Sequence, residues 1–487
     1  MSRASSPLAF RLLTNSAAYV GGDVFYRIIN LITALLVVRS LGSEIYGYYS
    51  FIYVFLSFFD IFTAFGLNNI LLREISQHPA EGPQWLGSAL LFRLILIGIS
   101  IPITAVLSFM LGYPSSVQWG ILLGALQLFL GLRTIFETIF RAKLLMVYPA
   151  LWNGVRAILN LGFVVAVVLF KPSLYFFILA AILSGFVSMA GLAAASQKFT
   201  QYHIVWDSHR MRHLFKECLP LFVSSLLTQI CLRADVFLLS ALRGFQDVGF
   251  YQSAVRIVES MLIIPGSLMV SIYPLLAEWV EKDRQRFENL MMRTFQILLV
   301  IGLPVAVGGL FVSGSLMTLF FGNEFREAAN ALKIYLWLLP LGFIGSLFVN
   351  VLYAARKQMV DVWVTVFQIP VNLALNFALI PRYGASGAAM AAVLSALFAV
   401  IVMTVYLLRH SMISGIRLSK VTAALFRINA LYFVFLCLVR YGAGENLAIM
   451  LLSGVAGYSA LMFLFKVVTV QDLKELAAQV RFGKPLA

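Results

Sequence analysis

Long apolar runs separated by short polar breaks recur along this 487-residue chain from Asn15 to Lys466. Each run is about 20 residues long, the length of helix that crosses a hydrocarbon core about 30 Å thick. The pattern predicts about fourteen spans, near 16–38, 45–70, 86–111, 115–139, 148–170, 173–196, 217–242, 248–276, 289–312, 331–353, 361–380, 386–408, 421–439 and 446–465. The expected fold class is therefore an all-α polytopic membrane protein. Composition agrees: 61% of residues are hydrophobic, 12% are charged and the mean hydropathy is +0.92, well outside the soluble range.

Charge adds an orientation. Lys and Arg accumulate in short cytoplasmic loops. When the polar breaks are assigned alternately to two sides, 21 of the 36 basic residues fall on the side that carries both termini, six fall on the other, and nine lie within spans. Both termini are thus expected in the cytoplasm, in a multi-pass protein of the cytoplasmic (inner) membrane. The formal charge of +15 is mostly this topological bias and requires no nucleic acid. Residues 1–15 show no cleavage site after a short apolar core, so the first span is expected to be retained. Cys218, Cys231 and Cys437 lack metal-like spacing and read as small packing residues.

Two internal matches suggest duplication. Gly42-Ser-Glu-Ile-Tyr-Gly47-Tyr48-Tyr49 before the second span pairs with Gly244-Phe-Gln-Asp-Val-Gly249-Phe250-Tyr251 before the eighth. Ala142 to Val147 pairs with Ala355 to Val360, before the fifth and eleventh. Each match joins span n to span n+6. The expected organisation is an N-terminal lobe over 1–197, a cytoplasmic linker over 198–216, a C-terminal lobe over 217–410 and two further spans with a tail over 411–487. Two parallel six-helix repeats with a site between them are a transporter architecture. The linker's His203, His209 and His213 read as a solvated loop in preference to a metal site.

These residues carry a resemblance. The stretch from Asn30 through Arg39, Gly42 and Gly47 to Ser50 resembles the start of bacterial polysaccharide transporters, the Wzx-type flippases of O-antigen and other oligosaccharide-lipids. Further similar segments are Arg233-Ala-Asp235, Val248 to Glu259, Tyr273-Pro274, Phe321 to Phe325 and Pro381 to Ala389. The resemblance implies membership of the multidrug/oligosaccharidyl-lipid/polysaccharide exporter superfamily. It also implies two lobes in a V around a cationic central cavity, alternating access, and a lipid-diphosphate-linked sugar as cargo.

Particular residues are argued from spacing. Asp23, Arg27 and Asn30 share one helical face at i, i+4 and i+7, and Gln252, Arg256 and Glu259 repeat that spacing in the eighth span. Either each Arg pairs with its acidic neighbour to make burial tolerable, or both stripes face the cavity and present guanidinium donors to diphosphate oxygens; the two readings are compatible. Asn153, Arg156 and Asn160 form a stripe on the fifth span, and Gln368, Asn372 and Asn376 on the eleventh. They suit hydroxyl-rich cargo or a polar helix contact equally well. Arg133, Glu137 and Arg141 climb the fourth span as a salt ladder, or as the place where a head group enters. Arg233 completes the basic set with Asp235 beside it. Asp60 and Asp235 either carry a coupling proton or sodium ion or partner an arginine on another helix. Arg93, Arg293, Lys333 and Arg427 lie nearer span ends and are expected to snorkel. Pro102, Pro265, Pro304, Pro340 and Pro370 are expected to interrupt helices.

An enzyme acting on such lipids needs catalytic carboxylates or histidines, usually on a sizeable external loop. The longest loop, Val312 to Asn330, offers only Glu324 and Glu327 as acids, and no P-loop or nucleophile-elbow pattern occurs. The expectation is a non-enzymatic, monomeric transporter with no cofactor beyond a possible H+ or Na+ gradient. Its partners would be a polyprenyl-diphosphate glycan, membrane lipid and polysaccharide polymerase or ligase machinery. The rival is a multidrug antiporter for organic cations, whose cavity should be net acidic. The spans here hold nine basic residues against five acids (Asp23, Asp60, Glu137, Asp235, Glu259), a balance that attracts anions. A peptidoglycan-precursor flippase shares that balance and stays open.

Overall fold

A computed structural model describes the backbone of residues 7–465 except 205 and 445, and the side chains of residues 25–465 except 205, 231, 263, 271, 443 and 445. Among the described residues every regular element is helical, as the apolar runs require, because in lipid a helix satisfies its own backbone groups. Eleven helical stretches are long and apolar enough to cross a membrane, or twelve with the bent pair Ser208–Ile230 and Leu232–Leu242 taken as one. Two of them, Phe25–Gln77 and Gln358–Arg409, are 53 and 52 residues long, which at 1.5 Å per residue suffices for two crossings each. Counted so, the fourteen spans of the sequence pattern are present. The breaks inside these long stretches fall on Gly42 (φ 73°), on Phe65 and Gly66 (φ 47° and 76°) and on Gly384 (φ 53°); left-handed backbone strains any side chain, and glycine takes it freely.

The chain divides into two compact units, residues 1–252 and 253–487. The first contains α1 (Pro7–Ala64), α2 (Leu67–Gln77), α3 (Gly82–Met110), α4 (Ser115–Ala125), α5 (Leu132–Ala142), α6 (Val147–Phe170), α7 (Leu174–Gln197) and α8 (Ser208–Leu242). It ends within α9 (Phe245–Met261). A 3-10 stretch, Leu126–Gly131, joins α4 to α5. Helix α8 packs on α1, α2 and α3, so it belongs with the first unit although it follows the polar segment at 198–207. The core gathers Leu67, Leu71, Leu86, Ile135, Leu192 and Leu214, all at most 1% exposed. Cys218 is buried here as expected, whereas Cys437, in the second unit, is exposed.

The second unit contains the end of α9 and α10 (Ile263–Lys282), α11 (Arg284–Phe321), α12 (Ala328–Tyr335), α13 (Leu338–Ala354), α14 (Gln358–Arg409), α15 (Gly415–Ala443) and α16 (Leu447–Leu464). Helix α11 is its centre, in contact with α10, α12, α13, α15 and α16. Tyr432 on α15 meets Tyr458 on α16 edge to face, their ring centroids 5.1 Å apart, so the last two helices are seated on one another and on α11. Prolines interrupt less than expected. Pro102, Pro304 and Pro370 lie inside continuous helices, while Pro340 and Pro265 sit in first turns, where the missing N–H has no intrahelical partner to lose.

The duplication has a structural counterpart that composition conceals. Leu144 (φ 56°) and Arg356 (φ 57°) both adopt left-handed backbone at the ends of α5 and α13. In both turns the next amide reaches back five residues at 2.7 Å, Leu145 to Phe140 and Lys357 to Leu352, which is a Schellman cap. The structural register pairs 144 with 356, one residue from the pairing suggested by residue identity. Neither residue type favours this conformation. We expect Leu144→Gly to raise stability by about 0.5–1 kcal/mol and Leu144→Val to lower it by a similar amount or more, read as thermal unfolding in detergent.

Candidate functional site

The predicted stripes are presented unequally. Asp23 lies outside the residues whose side chains are described. On α1, Arg27 is exposed and Asn30 half-buried; on α9, Arg256 and Glu259 are exposed but Gln252 is buried at 7% exposure. Asn153, Arg156 and Asn160 are half-buried on α6, which packs along α1. On α14, Gln368 is half-buried, and the Asn376 amide donates to Asn372 Oδ1 at 2.9 Å. Both asparagines are buried, so they bond within one helix instead of presenting a hydroxyl-binding wall in this conformation.

The fourth-span ladder forms. Glu137 Oε2 lies 3.6 Å from Arg133 and Oε1 lies 2.8 Å from Arg141. One carboxylate thus serves two guanidiniums one turn to either side, leaving a net positive strip. Arg133 also reaches the Pro149 carbonyl at 3.5 Å. Of the two aspartates considered for ion coupling, Asp235 is buried and accepts the Tyr251 hydroxyl, with Arg233 half-buried two residues before it.

Asp60 has the arginine partner that spacing alone could not name. Arg93, on α3, is 1% exposed, and its Nη2 lies 3.6 Å from Asp60 Oδ1. Sequence position suggested that Arg93 would snorkel; the structure buries it. The reason is local. The chain at Gly131 leaves room for a guanidinium, since a Cβ there would stand 2.7 Å from Arg93 Cζ. Arg93 Nη1 donates to Thr134 Oγ1 at 2.8 Å, and that hydroxyl lies 2.8 Å from Asn68 Oδ1. Arg93 Nε has no hydrogen-bond partner. The signal available in the sequence was the pairing of a mid-span acid with a base on the next span; nothing in the sequence marks Gly131 as the space-maker.

A second polar cluster surrounds the start of α8, where solvated histidines were expected. Asp207 caps the helix by accepting the Arg210 backbone N–H at 3.0 Å, and this bond, with the Arg210 charge, holds its carboxyl below the usual aspartate range. Arg210 Nη2 reaches Glu81 at 2.9 Å and Gln84 at 2.5 Å. His213 lies on α8 itself, 3.4 Å from Glu74 and 5.4 Å between ring centroids from Trp85. Arg73 joins Glu74 and Glu217 at 2.7 and 3.1 Å. These contacts bind α8 to α2 and α3 and consume the acids that a metal would need. Among the described residues no cluster of three metal-ligating side chains occurs.

Multiple apolar crossings with paired charges among them define a polytopic α-helical membrane protein. Residues 12–280 match the polysaccharide biosynthesis protein family and residues 220–378 match the MatE family. The chain belongs to the polysaccharide biosynthesis protein family, since that match covers more than half of it. It is 24% identical over 369 residues to a probable low-salt glycan biosynthesis flippase of Haloferax volcanii, covering 73% of this chain and 75% of that one. It is 24% identical over 169 residues to a putative O-antigen transporter of Shigella flexneri, a match that takes in 34% of this chain and 40% of the relative. Among solved structures, the lipid II flippase MurJ in an inward closed conformation superposes with a TM-score of 0.77 at 16% identity, covering 92% of this chain and 98% of that one. An inward-facing multidrug resistance MATE transporter of the MOP superfamily gives 0.63 at 16% identity, over 82% and 96%.

Proposed function

We propose that the protein is a flippase that moves a polyprenyl-diphosphate-linked oligosaccharide, an O-antigen or other surface-polysaccharide repeat unit, from the inner to the outer leaflet of the cytoplasmic membrane. The observation that carries the reading is the excess of base over acid inside the spans. In the structure Asp60 and Glu137 are already engaged by arginines, which leaves little free negative charge for an organic cation. An anionic diphosphate meets guanidinium donors in a planar, bidentate way. The relatives named as glycan flippases and an O-antigen transporter support the same cargo class.

In this reading the head group enters from the cytoplasmic side while the polyprenyl tail stays in lipid, and alternating access then exposes the sugar outside. An inside-negative potential assists outward movement of the diphosphate by about 2.3 kcal/mol per charge per 100 mV. Arg27 on α1 and Arg256 on α9 are both exposed, and each on its own helix is a donor suited to the diphosphate. The test is transbilayer movement of a fluorescent polyprenyl-diphosphate oligosaccharide in proteoliposomes, beside lipid II and a fluorescent organic cation. We expect the oligosaccharide carrier to move, and Arg27→Ala and Arg256→Ala each to slow it about tenfold or more at unchanged protein abundance. Cation transport without lipid movement would make the protein a multidrug exporter, and full activity in both variants would remove the diphosphate site.

A further inference from the structure

Asp60 and Arg93 form an unusual pair for a membrane interior. The guanidinium is 1% exposed, whereas its carboxylate partner is 57% exposed. Asp60 lies in the middle of an apolar span, and a carboxylate there does not face hydrocarbon. Its accessible side therefore needs a polar recess to face. Arg93 therefore closes the back of a site whose front is open.

The neighbours fix what that front can recognise. Ser57 precedes Asp60 by three residues on α1, on the same helical face. The Gln229 amide nitrogen on α8 donates to Ser57 Oγ at 2.5 Å, and Ser57 in turn donates to the Val54 carbonyl at 2.6 Å. This relay engages one of the two amide N–H donors inside the protein and leaves the Gln229 carbonyl oxygen with no partner among the described residues. Asp60 and, through Ser57, Gln229 thus offer acceptors, a carboxylate and an amide oxygen, beside the second amide N–H, while the Asp60–Arg93 pair sums to zero charge. A sodium ion would be drawn by the acceptors but repelled by the guanidinium 3.6 Å from the carboxylate. A neutral ligand that presents several hydrogen-bond donors satisfies both conditions. Both flanking spans are interrupted at this level: α8 bends by 45° just after Ile230, and the 3-10 segment Leu126–Gly131 ends against Arg93. Broken helices in membrane carriers mark binding sites.

We propose that Asp60 and Gln229 form a sugar subsite that accepts hydrogen bonds from the hydroxyl groups of the transported glycan, with Arg93 and Ser57 as positioning residues. The proposal deepens the flippase reading and rests on it: guanidinium donors take the diphosphate, and the acceptor pair takes the sugar.

The experiment compares two cargoes in proteoliposomes, a polyprenyl-diphosphate oligosaccharide and the bare polyprenyl diphosphate, with binding of the free, lipid-less oligosaccharide measured calorimetrically. Asp60→Asn and Gln229→Ala are each expected to weaken oligosaccharide binding and slow oligosaccharide-lipid movement roughly 10- to 100-fold, the range for losing a hydrogen bond to a charged or well-oriented acceptor. Movement of the bare diphosphate should stay within twofold. Gln229→Ala leaves the ion pair intact, so the test survives if Asp60→Asn folds poorly. Equal loss of both cargoes, or a loss that tracks an imposed pH or sodium gradient, would overturn the subsite in favour of a structural or ion-coupling role. If the unmodified protein moves neither cargo, the flippase reading falls and the subsite with it. If it moves both and the variants match it, only the subsite falls.

Discussion

Alanine at Gly47 or at Gly249 is expected to cost about 2–3 kcal/mol each, and the double variant little more than either single one. The two glycines belong to the duplicated motif, and the structure brings them together within the first unit, on α1 and α9. A Cβ on Gly47 would overlap the Phe245 carbonyl oxygen, and a Cβ on Gly249 would overlap the Ser43 carbonyl oxygen. Each carbonyl lies four residues before the other glycine, so the contact is reciprocal, as at a two-fold axis. Both obstacles are backbone, which cannot rotate aside as a side chain does, so a single methyl must separate the helices. Once they are apart the second methyl meets open space, hence the sub-additivity. The helix start is also clasped by rings: Phe245 lies 4.9 Å from Tyr48 and 5.3 Å from Phe51 between centroids. Thermal unfolding of the two single variants and the double one checks this, and additive costs would mean that the glycines act independently.

That crossing shows what the sequence does and does not carry. The motif G-x4-G-aromatic-Tyr was legible twice, and with it the duplication, because small residues and aromatics survive at positions where backbones touch. That the two copies touch each other was not legible, since nothing in a linear string states which helices meet. The spans were legible because hydrocarbon imposes a length and a composition. Their breaks were less so. Prolines drew attention, yet Pro102, Pro304 and Pro370 lie within continuous helices, while left-handed turns fall not only on glycines such as Gly42 and Gly384 but also on Leu144 and Arg356, residue types that announce nothing. Among charges, the ladder of Arg133, Glu137 and Arg141 was readable because i,i+4 spacing is local. The Asp60–Arg93 pair joins two helices, and its other determinants, Gly131 and Thr134, come from two further segments. His213 misled for the same reason: its partners Glu74 and Trp85 are remote in sequence.

Arg93→Ala should be the most destabilising single change in the first unit, at about 3 kcal/mol or more. Three losses combine. The side chain is 1% exposed, so truncation leaves a cavity that the helices around it only partly refill. Thr134 Oγ1 loses its donor at 2.8 Å, and the Asp60 carboxylate loses its counter-ion. The last loss is the smallest, because the Asp60 side chain is 57% exposed. Arg93 Nε already lacks a partner, so the site is not optimised for stability; retaining a buried guanidinium there fits a positioning role. Lysine keeps the charge but cannot reach Asp60 and Thr134 together with one ammonium, and Arg93→Lys should recover less than half of the loss. Gly131→Ala should reproduce much of the Arg93→Ala cost, since its methyl would occupy the place of the guanidinium. Combined with Arg93→Ala it should add little, the space then being vacant. Thermal unfolding across this set decides the matter: an Arg93→Ala variant as stable as the parent, or a Gly131→Ala cost that persists in its presence, would mean that the guanidinium is not what Gly131 accommodates.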